Sequence, residues 1–283
     1  MHVKTVKSFM ALTILLGCVP ALNAASAVVN LTLTNQAILP ANDDESTDAV
    51  TLNIGGASGI NFFGQNFTQG FVNNNGNVTF GSPLAQYTPN GLATGVGYPI
   101  IAPYFADVDT RGAGSGLVTY GNASYNGRDA FVVNWPAVGY FASRTDKLNT
   151  FQLILTDRSD IAAGDFDIEF NYDQMQWETG EASDGVAGLG GTSAVAGYSN
   201  GLSGSANVYY QLPGSLVNGA LIDGGPNALT ANSLNSDVLG RYDFQVRNGE
   251  VVGTAPEPVS FGLFGAGIGA LALFRKKLHR QSL

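Results

Sequence analysis

The residues best suited to chemistry in this sequence are carboxylates. Asp107-Val108-Asp109 stands where the apolar stretch "IIAPYF" runs into the Gly-rich "TRGAG". Asp-x-Asp spacing at a strand end lets two carboxylates point one way. Three roles are open to this pair. Arg111 could hold Asp107 or Asp109 in a buried clamp; the pair could supply two of the roughly six to eight oxygens that calcium takes; or one carboxyl could act as a catalytic acid. The stretch is not an EF-hand, because Arg111 takes the fifth loop position and Val118 the twelfth. A second cluster, Asp43, Asp44, Glu45 and Asp48 in "NDDESTD", reads either as a solvated acidic loop or as a cation-binding one. Glycoside hydrolysis needs two carboxylates across a cleft, and Asp107 with Glu178 would be such a pair, with Trp177 as a sugar platform. A polysaccharide-binding module would use the same residues without cleavage, and the competing reading of Trp135 and Trp177 is core.

Histidine and cysteine narrow the field further. The two histidines are His2 and His279, and the one cysteine is Cys18. Between the two ends the chain therefore carries neither imidazole nor thiol. Ser-His-Asp and Cys-His catalysis are excluded there, as are zinc sites built on His or Cys. Any metal site must be lined by oxygen; no cofactor is expected, with calcium at Asp107 and Asp109 as the alternative. Residues 28–257 hold 7 Arg and Lys against 22 Asp and Glu, a net charge of −15. Such a surface repels nucleic acid and anionic lipid and suits cations or neutral polysaccharide.

The elements that must position these groups are strands. Glycine interrupts nearly every window of the middle segment, and apolar residues do not recur at three-to-four spacing. In "DFDIEFNYDQMQW", Phe166, Ile168, Phe170 and Tyr172 share one face while Asp165, Asp167, Glu169, Asn171 and Asp173 share the other. That pattern predicts a half-buried strand with an acidic outer face. Met175 and Trp177 continue the acidic parity, so a bulge or a cover over that face is expected near Gln174. "FVNNNGNVTF" predicts a hairpin turning at Asn75-Gly76. "DAFVVNWPAVGYF" and "NTFQLILTD" are further strands, with Pro136 at an edge or bulge, and "GRYDFQVRNG" is the expected last strand. The sum is a mainly β, antiparallel, sandwich-like single domain over residues 28–253.

Each end reads as an address. Lys4 and Lys7 precede an apolar stretch from Phe9 to Val19, followed by small residues; this predicts a signal peptide over 1–27, cleaved after Ala27. The alternative is lipidation of Cys18 in "LLGC". Near the other end, the uncharged run from Val259 to Phe274 would reach roughly 24 Å as a helix, at about 1.5 Å per residue. Arg275, Lys276, Lys277 and Arg280 follow it, and such a basic flank tends to stay cytoplasmic. The order Pro256-Glu257-Pro258, short apolar span, basic tail resembles the PEP-CTERM sorting signal of Gram-negative bacteria that make exopolysaccharide. The resemblance implies a sorting region over 254–283 and a partner of the exosortase type, a membrane transpeptidase that cuts near the Pro-Glu-Pro.

A second resemblance lies in the middle. Phe62-Phe63-Gly64, "VNNNGNVTFG", "IIAPYFADVDTRGAGSGLVTYG", "FVVNW", "NTFQLIL" and "FDIEFNYDQMQWETG" together look like a nidogen-like (NIDO) domain from roughly Ile60 to Tyr198. In animals this domain occurs in basement-membrane and other extracellular proteins, so the resemblance implies a setting more than a reaction. The resulting expectation is a non-enzymatic protein that passes through the inner membrane and reaches the cell surface or beyond. There it would take part in matrix, biofilm or adhesive contacts with polysaccharide or another matrix protein. The alternatives are a polysaccharide-acting enzyme and a permanently anchored envelope binding protein.

Overall fold

A computed structural model describes residues 26–253. The expected signal peptide up to residue 25 lies outside them, as does the whole sorting region with Pro256, Glu257, Pro258, Arg275, Lys276 and Lys277. Ala27 lies inside and is buried.

The chain opens with β1 (Thr34–Ile38) and β2 (Val50–Thr51), then a small hairpin, β3 (Ile60–Phe62) and β4 (Gln65–Phe67). A second hairpin follows, β5 (Gln69–Asn73) and β6 (Asn77–Thr79), and then β7 (Ile100–Phe105). The centre holds β8 (Thr119–Tyr125), β9 (Arg128–Tyr140), β10 (Arg144–Asp157) and β11 (Phe166–Gln174). Last come β12 (Val195–Ser199), β13 (Tyr209–Gln211), β14 (Arg241–Arg247) and β15 (Glu250–Val252). Helix among the described residues is confined to short 3-10 turns.

These strands form a seven-stranded sheet, β1-β8-β9-β10-β11-β14-β15, a six-stranded sheet, β13-β12-β7-β6-β5-β2, and the β3-β4 pair. The pairings within the two large sheets are antiparallel. Strand parity explains how the sheets meet. Phe131, Val133 and Trp135 of β9, Phe151, Leu153 and Leu155 of β10, and Phe166, Ile168, Phe170 and Tyr172 of β11 point into one core. Val72, Val78, Ile101, Tyr104 and Tyr198 enter that core from the other sheet. Each such side chain contributes about 1.5–3 kcal/mol relative to exposure. Hydrogen bonds tie the layers as well: Tyr172 donates to the Pro103 carbonyl at 2.6 Å, and Trp135 Nε1 to the Asn74 carbonyl at 3.1 Å.

The outer faces are covered too. Val29, Leu31 and Leu33 lie on Ala123, Ala130, Val132 and Ile154 of the larger sheet. Gln152 fastens that segment by accepting from the Val29 N–H at 3.0 Å and donating to its carbonyl at 2.9 Å. The acidic outer face of β11 is partly covered in the same way. Asn171 is buried against Gln152, and Glu169 accepts hydrogen bonds from Tyr125 and Asn171 and pairs with Arg241 at 3.2 Å. On the smaller sheet, Leu84, Leu92, Val96 and Tyr98 of the long 81–99 connection cover Ile100, Ala102, Phe105 and Val195.

The two expected irregularities are present. Register slips between Thr150 and Phe151 of β10, opposite Gln174 and Tyr172, so Asp173 is the extra residue and Met175 and Trp177 regain the core. A second slip opposite Asn149 and Phe151 falls at Pro136-Ala137, inside the sheet rather than at its edge, where Thr150 Oγ1 accepts the Ala137 N–H at 2.9 Å. Two local readings change. The β5–β6 turn has three residues, 74–76, with positive φ at Gly76 alone of the three. The strand expected to come last, β14, is followed by β15 across the tight Asn248-Gly249 turn.

Candidate functional site

The three carboxylates nearest the Gly-rich loop have different fates. Asp109 is fully buried and accepts from Arg111 three times: from the backbone N–H at 2.9 Å, Nε at 2.9 Å and Nη2 at 2.7 Å. The Ser143 N–H adds a fourth bond at 2.7 Å. Burial alone would raise the Asp109 pKa, but the Arg111 and Ser143 hydrogen bonds outweigh it and hold the carboxyl below its ordinary range. The clamp therefore forms on Asp109, whose oxygens are engaged by these donors.

Asp107 faces elsewhere. It is 1% exposed, and neither of its oxygens has a hydrogen-bond partner among the described residues. One carboxylate oxygen each from Asp43, Asp44 and Asp107 lie within 4.8 Å of one another. Burial, and then the charges of Asp43, Asp44, Asp109 and Glu181, push Asp107 up to about 7. Burial, Asp109 and Asp44 push Asp43 up to about 6, although Arg111 Nη2 reaches its Oδ2 at 2.7 Å. The expected Asp107–Asp109 pair is thus divided, and Asp107 is grouped with the acidic loop. A carboxyl near 7 has the pKa of a general acid, but Asp107 is buried.

Asparagines bring these distant segments together. Asn42 Oδ1 accepts the Glu45 N–H at 2.9 Å and folds the acidic loop back on itself. Asn74 Nδ2 lies within hydrogen-bond reach of the Asp43 carbonyl at 2.6 Å and the Val108 carbonyl at 2.6 Å. Asn75 donates to Asp44 Oδ1 at 2.8 Å and accepts from the Val108 N–H at 2.9 Å. The β5–β6 turn therefore pins the acidic loop to the end of β7. The sequence reading named both acidic clusters and the Asn-rich turn, but the turn amides are the signal that joins them.

The enzyme arrangement does not assemble. Glu178 is fully buried, its Oε1 accepts the Gly219 N–H, and burial raises its pKa. Trp177 is equally buried, with Nε1 donating to the Val138 carbonyl at 3.1 Å and its ring 5.5 Å from that of Tyr140. Trp135 stacks on Phe151 at 4.9 Å in the core. A groove beside β13 is instead lined by the exposed Tyr209 and the half-buried Phe63 and Tyr210, with Val208 and Val251, over the buried Tyr198.

Comparison with known proteins gives a coherent result. The family described as "Nidogen-like domain" matches residues 68–125 and 119–248, beginning after Ile60 and running past Tyr198 through β14. Alpha-tectorin of Mus musculus and that of Homo sapiens are each 30% identical over 241 residues, covering 77% of this chain and 10% of the relative. Nidogen of Drosophila melanogaster is 31% identical over 157 residues, covering 46% of this chain and 11% of the relative. The chain thus spans about a tenth of the length of these curated relatives. No solved structure matches.

Proposed function

We propose, from the premise that the chain belongs to the nidogen-like domain family, that it is an exported, non-enzymatic protein of an extracellular matrix. That membership is the observation that carries the reading, because the family implies an extracellular setting. The site geometry supports it: Asp109 is neutralised by Arg111, and Glu178 and Trp177 are interior groups. The export route in this proposal uses the signal peptide up to Ala27 and the tail from residue 254. An exosortase-type transpeptidase acts near Pro256-Glu257-Pro258, with the chain held briefly in the inner membrane by Val259 to Phe274 and the basic cluster Arg275, Lys276 and Lys277. The matrix partner is polysaccharide or protein. The Tyr209–Tyr210 groove favours polysaccharide, since aromatic faces stack on sugar rings and their polar edges stay wet.

Intact-mass analysis of protein from culture supernatant and from membranes tests this route. A released species ending near Pro256 supports it, as does accumulation in the membrane when Pro256-Glu257-Pro258 is replaced by alanines. A full-length membrane species indifferent to that replacement would make the protein a permanently anchored envelope protein instead.

A further inference from the structure

Three carboxylates converge at the junction of the acidic loop and the end of β7 without enough positive charge to balance them. Arg111 is the cation paired there, and it serves Asp109 and one oxygen of Asp43. Asp43 Oδ1 and both oxygens of Asp107 are buried without a hydrogen-bond donor. A buried polar group without a partner is costly, the more so when charged. The convergence is also built rather than accidental, because Asn74 and Asn75 hold residues from two distant segments in place.

We propose that Asp43, Asp44 and Asp107 bind one calcium ion. The cluster supplies hard oxygen ligands only, which suits calcium or magnesium and not the softer transition metals. Ligands on opposite sides of a calcium ion, each at about 2.4 Å, lie about 4.8 Å apart, and the three oxygens meet that limit. Calcium is preferred to magnesium because magnesium demands near-ideal octahedral geometry at about 2.0–2.1 Å, whereas calcium tolerates an irregular set completed by water. Three protein ligands and an extracellular setting place the dissociation constant at about 0.1–1 mM. In binding, the ion joins the acidic loop to the strand end beside the Asp109–Arg111 clamp. The proposal does not depend on how the tail is processed.

The test uses the full chain, stripped with EDTA and dialysed. Titration with calcium chloride in a calorimeter should show one equivalent bound, and 10 mM calcium should raise the melting temperature by about 5 °C. Asp107→Asn should weaken calcium binding at least tenfold while remaining folded in EDTA, and Asp44→Asn should weaken it with less effect on the interior. Asp48→Asn, outside the cluster, should bind as the parent does. Absence of a calcium-dependent shift at 10 mM, or undiminished binding by Asp107→Asn and Asp44→Asn, would overturn the site. Tighter binding of magnesium chloride would overturn the choice of ion.

Discussion

Arg111 grips Asp109 through Nε at 2.9 Å and Nη2 at 2.7 Å, while Asp107, two residues earlier, accepts no hydrogen bond. Substitutions at the two aspartates should therefore differ in effect. Asp109→Asn removes a charged acceptor from the Arg111 and Ser143 donors, and hydrogen bonds to charged groups contribute about 1.5–3 kcal/mol. Its expected cost is about 2–3 kcal/mol in urea unfolding. Asp107→Asn in EDTA removes an uncompensated charge and should leave stability unchanged or higher. Equal losses at both positions would contradict this division.

Asn149 governs how the chain leaves β11. Its Oδ1 accepts the N–H groups of Gln176 and Trp177 at 2.6 and 3.2 Å, and its Nδ2 donates to the Trp177 carbonyl at 2.8 Å. Asn149→Ala orphans two donors next to a fully buried indole and should destabilise by about 3 kcal/mol. Loss of the fixed Trp177 environment should appear as a red shift of tryptophan fluorescence below the global melt.

Acidity should act through Asp243. Asp243 of β14 pairs directly with Glu169 of β11, and burial, then Glu169, push its carboxyl up to about 7 despite the nearby Arg241. The folded state thus binds this proton more tightly than the unfolded chain, whose value is near 3.8. Stability associated with it is present below about pH 4 and is lost as pH rises through about 7. The whole interval corresponds to about 4 kcal/mol, and partial solvent contact reduces that to about 1–2 kcal/mol. Asp243→Asn should match the parent at pH 4 and exceed it by that amount at pH 8, with the fall in melting temperature flattened accordingly. A parallel pH profile in the variant would contradict the assignment.

Local pattern was enough for much of this fold. Phe166, Ile168, Phe170 and Tyr172 disclose β11 by alternation, and Met175 and Trp177 disclose its bulge by breaking it. Pro136, lacking an N–H, marks the second irregularity for a comparably local reason. Asn248-Gly249 is an equally local turn signal, although the pattern predicts β14 as the last strand of the domain and β15 follows it. Other features depend on contacts remote in sequence. Asn171 is polar and fully buried because Gln152 recruits Val29 from the opposite end of the domain, and no window around Asn171 contains that information. Asp44 and Asp107 are likewise 63 residues apart, joined by the amide of Asn75, so spacing paired Asp107 with its sequence neighbour Asp109.

Gly180 separates the shape of the Asp107 site from its charge. Its backbone is extended, φ −110° and ψ 171°, which alanine adopts without strain. A Cβ there would nevertheless lie 2.6 Å from Asp107 Oδ2 and 2.5 Å from Phe141 Cβ. Gly180→Ala must displace both, at about 1–3 kcal/mol for overpacking. Because no charge changes, the long-range attraction of the acidic cluster for cations is preserved. Calcium affinity should still fall about tenfold, since ligand position and not only ligand charge sets coordination. Gly59→Ala is the contrasting control: at φ +73° its Cβ would strike the Phe67 carbonyl, so the expected result is general destabilisation away from the acidic cluster. If Gly180→Ala keeps parental calcium affinity while Gly59→Ala loses it only in proportion to unfolding, diffuse charge and not a positioned Asp107 would account for binding.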